Sequence, residues 1–190
     1  DELLYIIARD YQHRGVIAGG VVGTLMSNIG FEQALSRSGI ALERARVGDR
    51  YVLERMQEKT WRLGGETSGH IICLDKHSTG DAIIAALAVL RALIEQKTTL
   101  VDATAPLTLF PQHLINVPVR RDVDWRDDAD VARAERAAIA ALGTAGRVLL
   151  RPSGTEPVLR VMVEARDAAL AQMHAQSLAE TIAKIAGQRL

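Results

Sequence analysis

Aromatic residues are scarce in this sequence, cysteine is nearly absent, and neither sign of charge prevails. Only 4% of the 190 residues are Phe, Trp or Tyr while 48% are hydrophobic. The core must therefore be built from Ala, Val, Leu and Ile, which suits helices packed on sheets and excludes disorder as the main state. A single cysteine, Cys73, rules out an internal disulfide framework. It lies in the apolar run HIICLD, where a small buried hydrophobe is the first reading and a reactive thiol the second. With no disulfide and no signal-peptide pattern, a reducing cytoplasm is the expected compartment. Twenty-three basic residues balance twenty-three acidic ones, which excludes binding of nucleic acid or of an anionic membrane through the overall field and leaves room for local anion sites. The most apolar window, DAIIAALAVLRALIEQ, is shorter than the roughly 20 residues a bilayer demands and is broken by Arg91. It is expected to be a buried helix. No internal repeat and no low-complexity tract is present.

The length exceeds one average domain without reaching two large ones, so two small domains are expected. Leu3, Leu4, Ile7 and Tyr11 fall near helical spacing at the start, and Gly15 supplies a stop. Residues 1–13 are accordingly expected to be the last helix of a preceding, truncated domain. Beyond them, VIAGGVVGTLMSN and IALERARVG read as strands, and WRLGGETSGHIICLD as a strand interrupted by a polar turn. Between these lie helical IGFEQALSRSG, with Ser27 or Asn28 as cap, helical DRYVLERMQEK, and a long helix started by Thr79 or Asp81. Strands alternating with helices predict a three-layer α/β domain over residues 14–105, a mixed sheet with helices on both faces. Pro106 and Pro111 forbid a continuous element, and the domain link is expected there. Residues 106–190 read as a small α+β domain: strand LINVPVR, helix DADVARAERAAIAAL, strands GRVLLR and VLRVMVEA forming a hairpin of an antiparallel sheet, and a second helix with Leu170, Met173, Leu178, Ile182 and Ile185 along one face.

The hairpin tip RPSGTEP gathers the donors that a phosphate ester needs. Arg151 ends one strand and Arg160 lies in the next, so two guanidinium groups come toward one end of the sheet, where they can clamp a dianion. Ser153 and Thr155 add hydroxyls, and Gly154 permits a positive φ that exposes backbone N–H groups as an anion nest. The competing reading is an ordinary polar hairpin whose arginines pair with Glu156 and Glu164. A second constellation, GGETSGH, places Glu66, Ser68 and His70 at alternate positions, on one side if the backbone is extended. A carboxylate, a hydroxyl and an imidazole suit vicinal sugar hydroxyls, and His70 can also serve as an accessory base. A tight hairpin with a capping acid is the equal alternative. In VGDRYV, Gly48, Asp49 and Arg50 can face the same cleft, although Asp49 is favoured as the cap of the following helix. His13, His77, His113 and His174 stand at no metal-ligand spacing and are expected to be structural or exposed.

GGETSGH followed by TGDAIIAALAVL and then VLLRPSGTEPVLRVMVE resembles, in order and through nearly all of the chain, the carboxyl-terminal half of the phosphohexomutase superfamily. GTLMSN with VGDRYVLERMQ points within it to the branch of bacterial phosphoglucosamine mutases. The resemblance implies an isomerase that interconverts glucosamine 6-phosphate and glucosamine 1-phosphate for cell-wall amino sugars, through a phosphoserine enzyme and a bisphosphorylated sugar intermediate. Carried over, Arg151, Ser153, Gly154, Thr155 and Arg160 form the substrate-phosphate site, while Glu66 and Ser68, with His70 beside them, read the sugar. The family's phosphoserine loop and its Mg2+ loop of alternating aspartates match nothing in these residues. The resemblance therefore implies a fragment with neither catalytic serine nor metal ligands, inactive alone, whose partners are a hexosamine phosphate and the amino-terminal domains of the same protein. Phosphomannomutase or phosphoglucomutase activity, and a non-catalytic phosphosugar-binding module, are the other readings.

Overall fold

The computed structural model describes residues 1–119, 125, 128–153 and 156–186. They fall into two compact units, Asp1–Leu109 and Phe110–Leu190.

In the first unit, β1 (Gly20–Thr24), β2 (Ala41–Ala45), β3 (Leu63–Gly65) and β4 (Ile71–Cys73) form a mixed sheet in the order β2-β1-β3-β4. β1 runs parallel to β2 and β3, and β4 returns antiparallel. All of β1 is buried, as a central strand covered on both faces requires. The alternation of side chains along a strand then separates two cores. Val21 packs with α1 (Glu2–His13), α2 (Ile29–Arg37) and α4 (Ala82–Glu95) through Leu4, Phe31, Leu35 and Val89. Val22 packs with Val52 and Met56 of α3 (Asp49–Lys59) on the other face. A short α5 (Leu100–Thr104) follows α4. Gly64 is where α3 presses hardest on the sheet, because a Cβ there would stand 2.6 Å from Met56 Sδ and 2.8 Å from Val52 Cγ1.

Side-chain caps fix where the helices begin. Asn28, rather than Ser27, accepts from Gly30 N at 2.8 Å to start α2. Asp81, rather than Thr79, accepts from Ile84 N at 2.8 Å to start α4. Ser27 instead accepts from Thr24 N.

Two expectations are corrected in this unit. Helix α1 is no remnant of a preceding domain: Leu4, Tyr5, Ile7 and Tyr11 lie in the core shared with β1 and α4. Helix α4 is only half buried. Its small residues Ala85, Val89 and Ala92 face inward, while Ile83, Leu87, Leu90 and Ile94 are 54–75% exposed. Arg91 lies between these faces and reaches Asp10 Oδ2 at 2.6 Å. Asp10 is itself buried and also takes Arg14 Nε at 2.9 Å.

The second unit is a three-stranded antiparallel sheet in the order β5-β7-β6, with β5 Gln112–Pro118, β6 Gly146–Pro152 and β7 Val158–Ala165. Leu159, Val161 and Val163 of β7 pack with α6 (Ala129–Leu142) and α7 (Ala168–Ile185). The division between units falls after Leu109 instead of after residue 105. On α7 the buried stripe is Ala171, Ala175, Leu178, Ala179, Ile182 and Ala183, whereas Leu170 and Met173 are about half exposed. Four alanines share this stripe with Leu178 and Ile182, which lets the helix lie close on the sheet.

Candidate functional site

On β6 and β7, the residues that alternate with the core stripe form three cross-strand pairs on the opposite face of the sheet: Arg147 with Glu164, Leu149 with Met162, and Arg151 with Arg160. The first pair is complementary. Glu164 is fully buried and takes Arg147 Nε at 2.6 Å and Nη2 at 3.2 Å, with Gln112 Nε2 at 3.1 Å. The third pair sets two like charges directly opposite each other, an arrangement that destabilises an antiparallel sheet. Burial first, and then the charge of Arg160, hold the Arg151 guanidinium below its ordinary pKa.

Compensation within the hairpin is slight. Arg160 Nη2 lies 3.5 Å from Ser153 Oγ and 3.8 Å from Glu156 Oε2. The Nε atoms of both Arg151 and Arg160 are buried without a hydrogen-bond partner among the described residues. Ser153 Oγ also receives Glu156 N at 3.3 Å. The alternative reading of the loop thus holds only for Glu156. Glu164 is committed to Arg147, and Arg151 has no carboxylate partner among the described residues. Gly154 and Thr155 lie outside the described residues. Donors converging on one place with too few acceptors are the electrostatic form of an anion site.

GGETSGH is a tight turn and not an extended segment, which corrects the alternate-position argument. Glu66 N donates to His70 O at 3.0 Å and Gly69 N to Glu66 O at 3.0 Å, with Gly69 at φ +92°. The turn joins β3 to β4, so Glu66 and His70 flank its base while Ser68 is exposed at its tip. Glu66 Oε1 accepts from Gly48 N at 2.9 Å, which fastens this turn to the start of α3. Gly48, not Asp49, occupies the cap position, at φ +126° where other residues are strained. The favoured role of Asp49 as cap is therefore corrected. It is the first helical residue, and its Oδ2 lies 3.6 Å from His70 Nε2.

Glu66, His70 and Asp49 are thus brought together at the carboxyl ends of parallel strands β1 and β3, where open α/β sheets place their ligands. Arg50 is not among them, because it is highly exposed and bonds Glu54 along α3 at 2.8 Å. His70 Nε2 is buried with no hydrogen-bond partner among the described residues. Gly80 backs the imidazole so closely that a Cβ would stand 2.2 Å from Nε2. The Gly48–Glu66 link and the Gly80 contact escape sequence reasoning. Their only local signal is glycine itself.

Two family models match the chain: phosphoglucomutase/phosphomannomutase alpha/beta/alpha domain III over residues 1–109, and the C-terminal domain over residues 114–181. A phosphoglucosamine mutase of Aromatoleum aromaticum is 56% identical over 182 residues, covering 96% of this chain and 40% of the relative. The chain thus spans about 40% of the length of such relatives. Among solved structures, an N-acetylglucosamine-phosphate mutase in its substrate complex matches with a TM-score of 0.79 at 18% identity, covering 95% of this chain and 43% of that one. The Aspergillus fumigatus N-acetylphosphoglucosamine mutase, solved with GlcNAc-6P and magnesium, matches with a TM-score of 0.77 at 19% identity, covering 95% and 45%. The two units, their order and these matches together make the chain a member of the phosphoglucomutase/phosphomannomutase family, carrying its domain III and its C-terminal domain.

Proposed function

We propose that this chain supplies the substrate-recognition half of a phosphoglucosamine mutase, an isomerase acting on glucosamine 6-phosphate and glucosamine 1-phosphate. One observation carries the proposal: Arg151 and Arg160 face each other in register with unpartnered, buried Nε atoms. A fold retains such a repulsive pair when something anionic neutralises it. A phosphate dianion accepts from both forks and from Ser153 Oγ, and binding replaces repulsion by charge-assisted hydrogen bonds. Arg151, Ser153 and Arg160, with Gly154 and Thr155 by resemblance, form this grip. A grip that reads charge and not carbon skeleton accepts the phosphate from either end of the sugar. The enzyme needs that property, since its two substrates differ in which end carries the ester.

Glu66, with Oε1 fixed by Gly48 N, offers Oε2 to sugar hydroxyls, and Ser68 and His70 flank it. His70, with Nε2 held near Asp49 and its side chain 39% exposed, can hydrogen-bond a hydroxyl through its open ring edge. The described residues hold no group of three His, Cys, Asp or Glu able to bind a metal ion. Magnesium, a bisphosphorylated sugar intermediate, a cytoplasmic setting and a need for the family's other domains all belong to this proposal. The magnesium-bound fungal relative supports the first of these, and the 40% coverage of relatives supports the last. No helix of the described residues is long and apolar enough to cross a membrane.

Calorimetric titration with glucosamine 6-phosphate, glucosamine 1-phosphate and mannose 6-phosphate tests the reading. Both glucosamine esters are expected to bind, and Arg151→Ala is expected to weaken both by about 1.5–3 kcal/mol as a charged donor is lost. Equal binding by the variant refutes the phosphate grip. Preference for the mannose ester refutes the glucosamine assignment.

A further inference from the structure

The first unit carries a second basic concavity, well removed along the sheet from Glu66. Glu66 follows the carboxyl end of β3, whereas α2 ends at Arg37 just before β2 begins, and therefore at the amino ends of the parallel strands. A cavity of about 370 Å³ opens there between α1, α2 and α5, within the size range of small-molecule sites. Ile6, Ala34 and Ala103 give it an apolar floor, and Arg9, Arg37 and Ser38 line its wall.

The charges of that wall are unbalanced. Arg9 Nη1 donates to Ser38 Oγ, next in the chain to Arg37, and Arg37 Nη2 donates to Pro106 O at 2.8 Å. These neutral acceptors are the hydrogen-bond partners of the two guanidinium groups, and neither group has a carboxylate within ion-pair distance among the described residues. Of the other arginines of the unit, Arg14 and Arg91 pair with Asp10, Arg44 with Glu32, Arg50 with Glu54 and Arg55 with Glu58, while Arg46 lies over the Tyr51 ring and Arg62 has no ion pair among the described residues. Asp102, the one acid lining the cavity, accepts from Thr99 Oγ1 at 2.7 Å. Two forked donors on separate helices, with no carboxylate partner among the described residues and above an apolar floor, suit a small organic oxyanion whose carbon skeleton lies on Ile6 and Ala103.

We propose that this cavity is a binding site for a small organic oxyanion, a phosphomonoester or a dicarboxylate, independent of the hairpin grip. It extends beyond the mutase reading and does not rest on it.

The test is a titration of the 15N-labelled full chain with inorganic phosphate and, separately, with malonate, followed by amide chemical shifts. The expected result is saturable shifts at residues 34–38 and 98–103 with at least one of the two probes. A response to phosphate alone assigns a phosphomonoester, and one to malonate alone a dicarboxylate. In Arg37→Gln, at an exposed position, the apparent Kd at this cluster should rise by about tenfold, and Arg9→Gln should act likewise. Any shifts at residues 151–153 and 158–160 should persist in both variants and vanish in Arg151→Ala. Shifts confined to the hairpin, or shifts near α2 and α5 that are non-saturable or unaltered by Arg37→Gln, overturn the proposal while leaving the hairpin grip standing.

Discussion

Replacing Arg151 by Met should make the second unit more stable while abolishing its response to phosphate. Methionine keeps an unbranched stem on the sheet and removes the charged guanidinium with its donors. Cross-strand neighbours stand about 5 Å apart at Cβ. Two unit charges about 6 Å apart repel by about 0.7 kcal/mol in water and about 2.8 kcal/mol at an effective dielectric near 20. Both guanidinium groups are partly solvated, and Glu156 offsets some of the charge of Arg160 from 3.8 Å. The lower end therefore applies, a gain of about 0.5–1 kcal/mol. Hydrogen exchange of the β7 amides, measured at low ionic strength, reports the stability of this unit by itself. The gain should shrink near 0.15 M salt, where the screening length is about 8 Å. In the parent, phosphate at about ten times its Kd should add about 1.4 kcal/mol of protection, and in the variant none. A loss of more than about 1 kcal/mol in phosphate-free buffer would refute the reasoning, because Arg151 would then be supporting the sheet instead of being tolerated by it. Phosphate protection that persists in the variant would refute it equally.

Three further outcomes are expected. Arg147→Ala removes the counter-charge of the fully buried Glu164 carboxylate and should cost about 3–5 kcal/mol in denaturant unfolding; the double variant Arg147→Leu/Glu164→Leu should recover most of that loss. Burial first, and then the bond to Asp75, hold the Tyr11 phenol above its ordinary pKa, and burial chiefly does the same for the Cys73 thiol. Both groups therefore contribute stability that is complete below their unfolded values, about 8.5 for Cys and 10 for Tyr, and that declines as pH rises beyond them. Melting temperatures should fall from about pH 8.5 upward, and Tyr11→Phe should flatten the fall above about pH 10; an unchanged slope contradicts the assignment. Gly80→Ala drives a methyl group into the space of the His70 ring, and should weaken glucosamine-phosphate binding severalfold in calorimetry while inorganic phosphate binds as before.

Much of this arrangement is legible in the residues. Alternation of apolar strands with amphipathic stretches gives the three-layer unit, and RPSGTEP between two β-branched, apolar runs gives a hairpin that puts Arg151 opposite Arg160. What escapes is what distant packing decides. Helical period marks a stripe on α7 but cannot reveal that four alanines share the inner face with Leu178 and Ile182 while Leu170 and Met173 stay about half exposed. Local propensity makes Asp49 a plausible cap. Only the folded backbone, with Gly48 at φ +126° and its N–H bonded to Glu66, explains why glycine holds that position. Pairing by proximity in sequence offers Glu164 to the hairpin arginines, whereas the sheet register hands it to Arg147. Helix α1 reads as a leftover because its sheet partners come later in the chain.

The contact between Arg91 and Asp10 has a consequence for uniqueness. A helix as uniformly oily as α4 carries little information about its own roll angle, and greasiness alone would turn Ile83, Leu87, Leu90 and Ile94 toward the interior. One cation, tethered to a carboxylate sunk in α1, acts as a rotational key that selects the small-residue side for the close approach. Without that key the same composition fits its socket in more than one way, and the chain trades a single native state for several of similar energy.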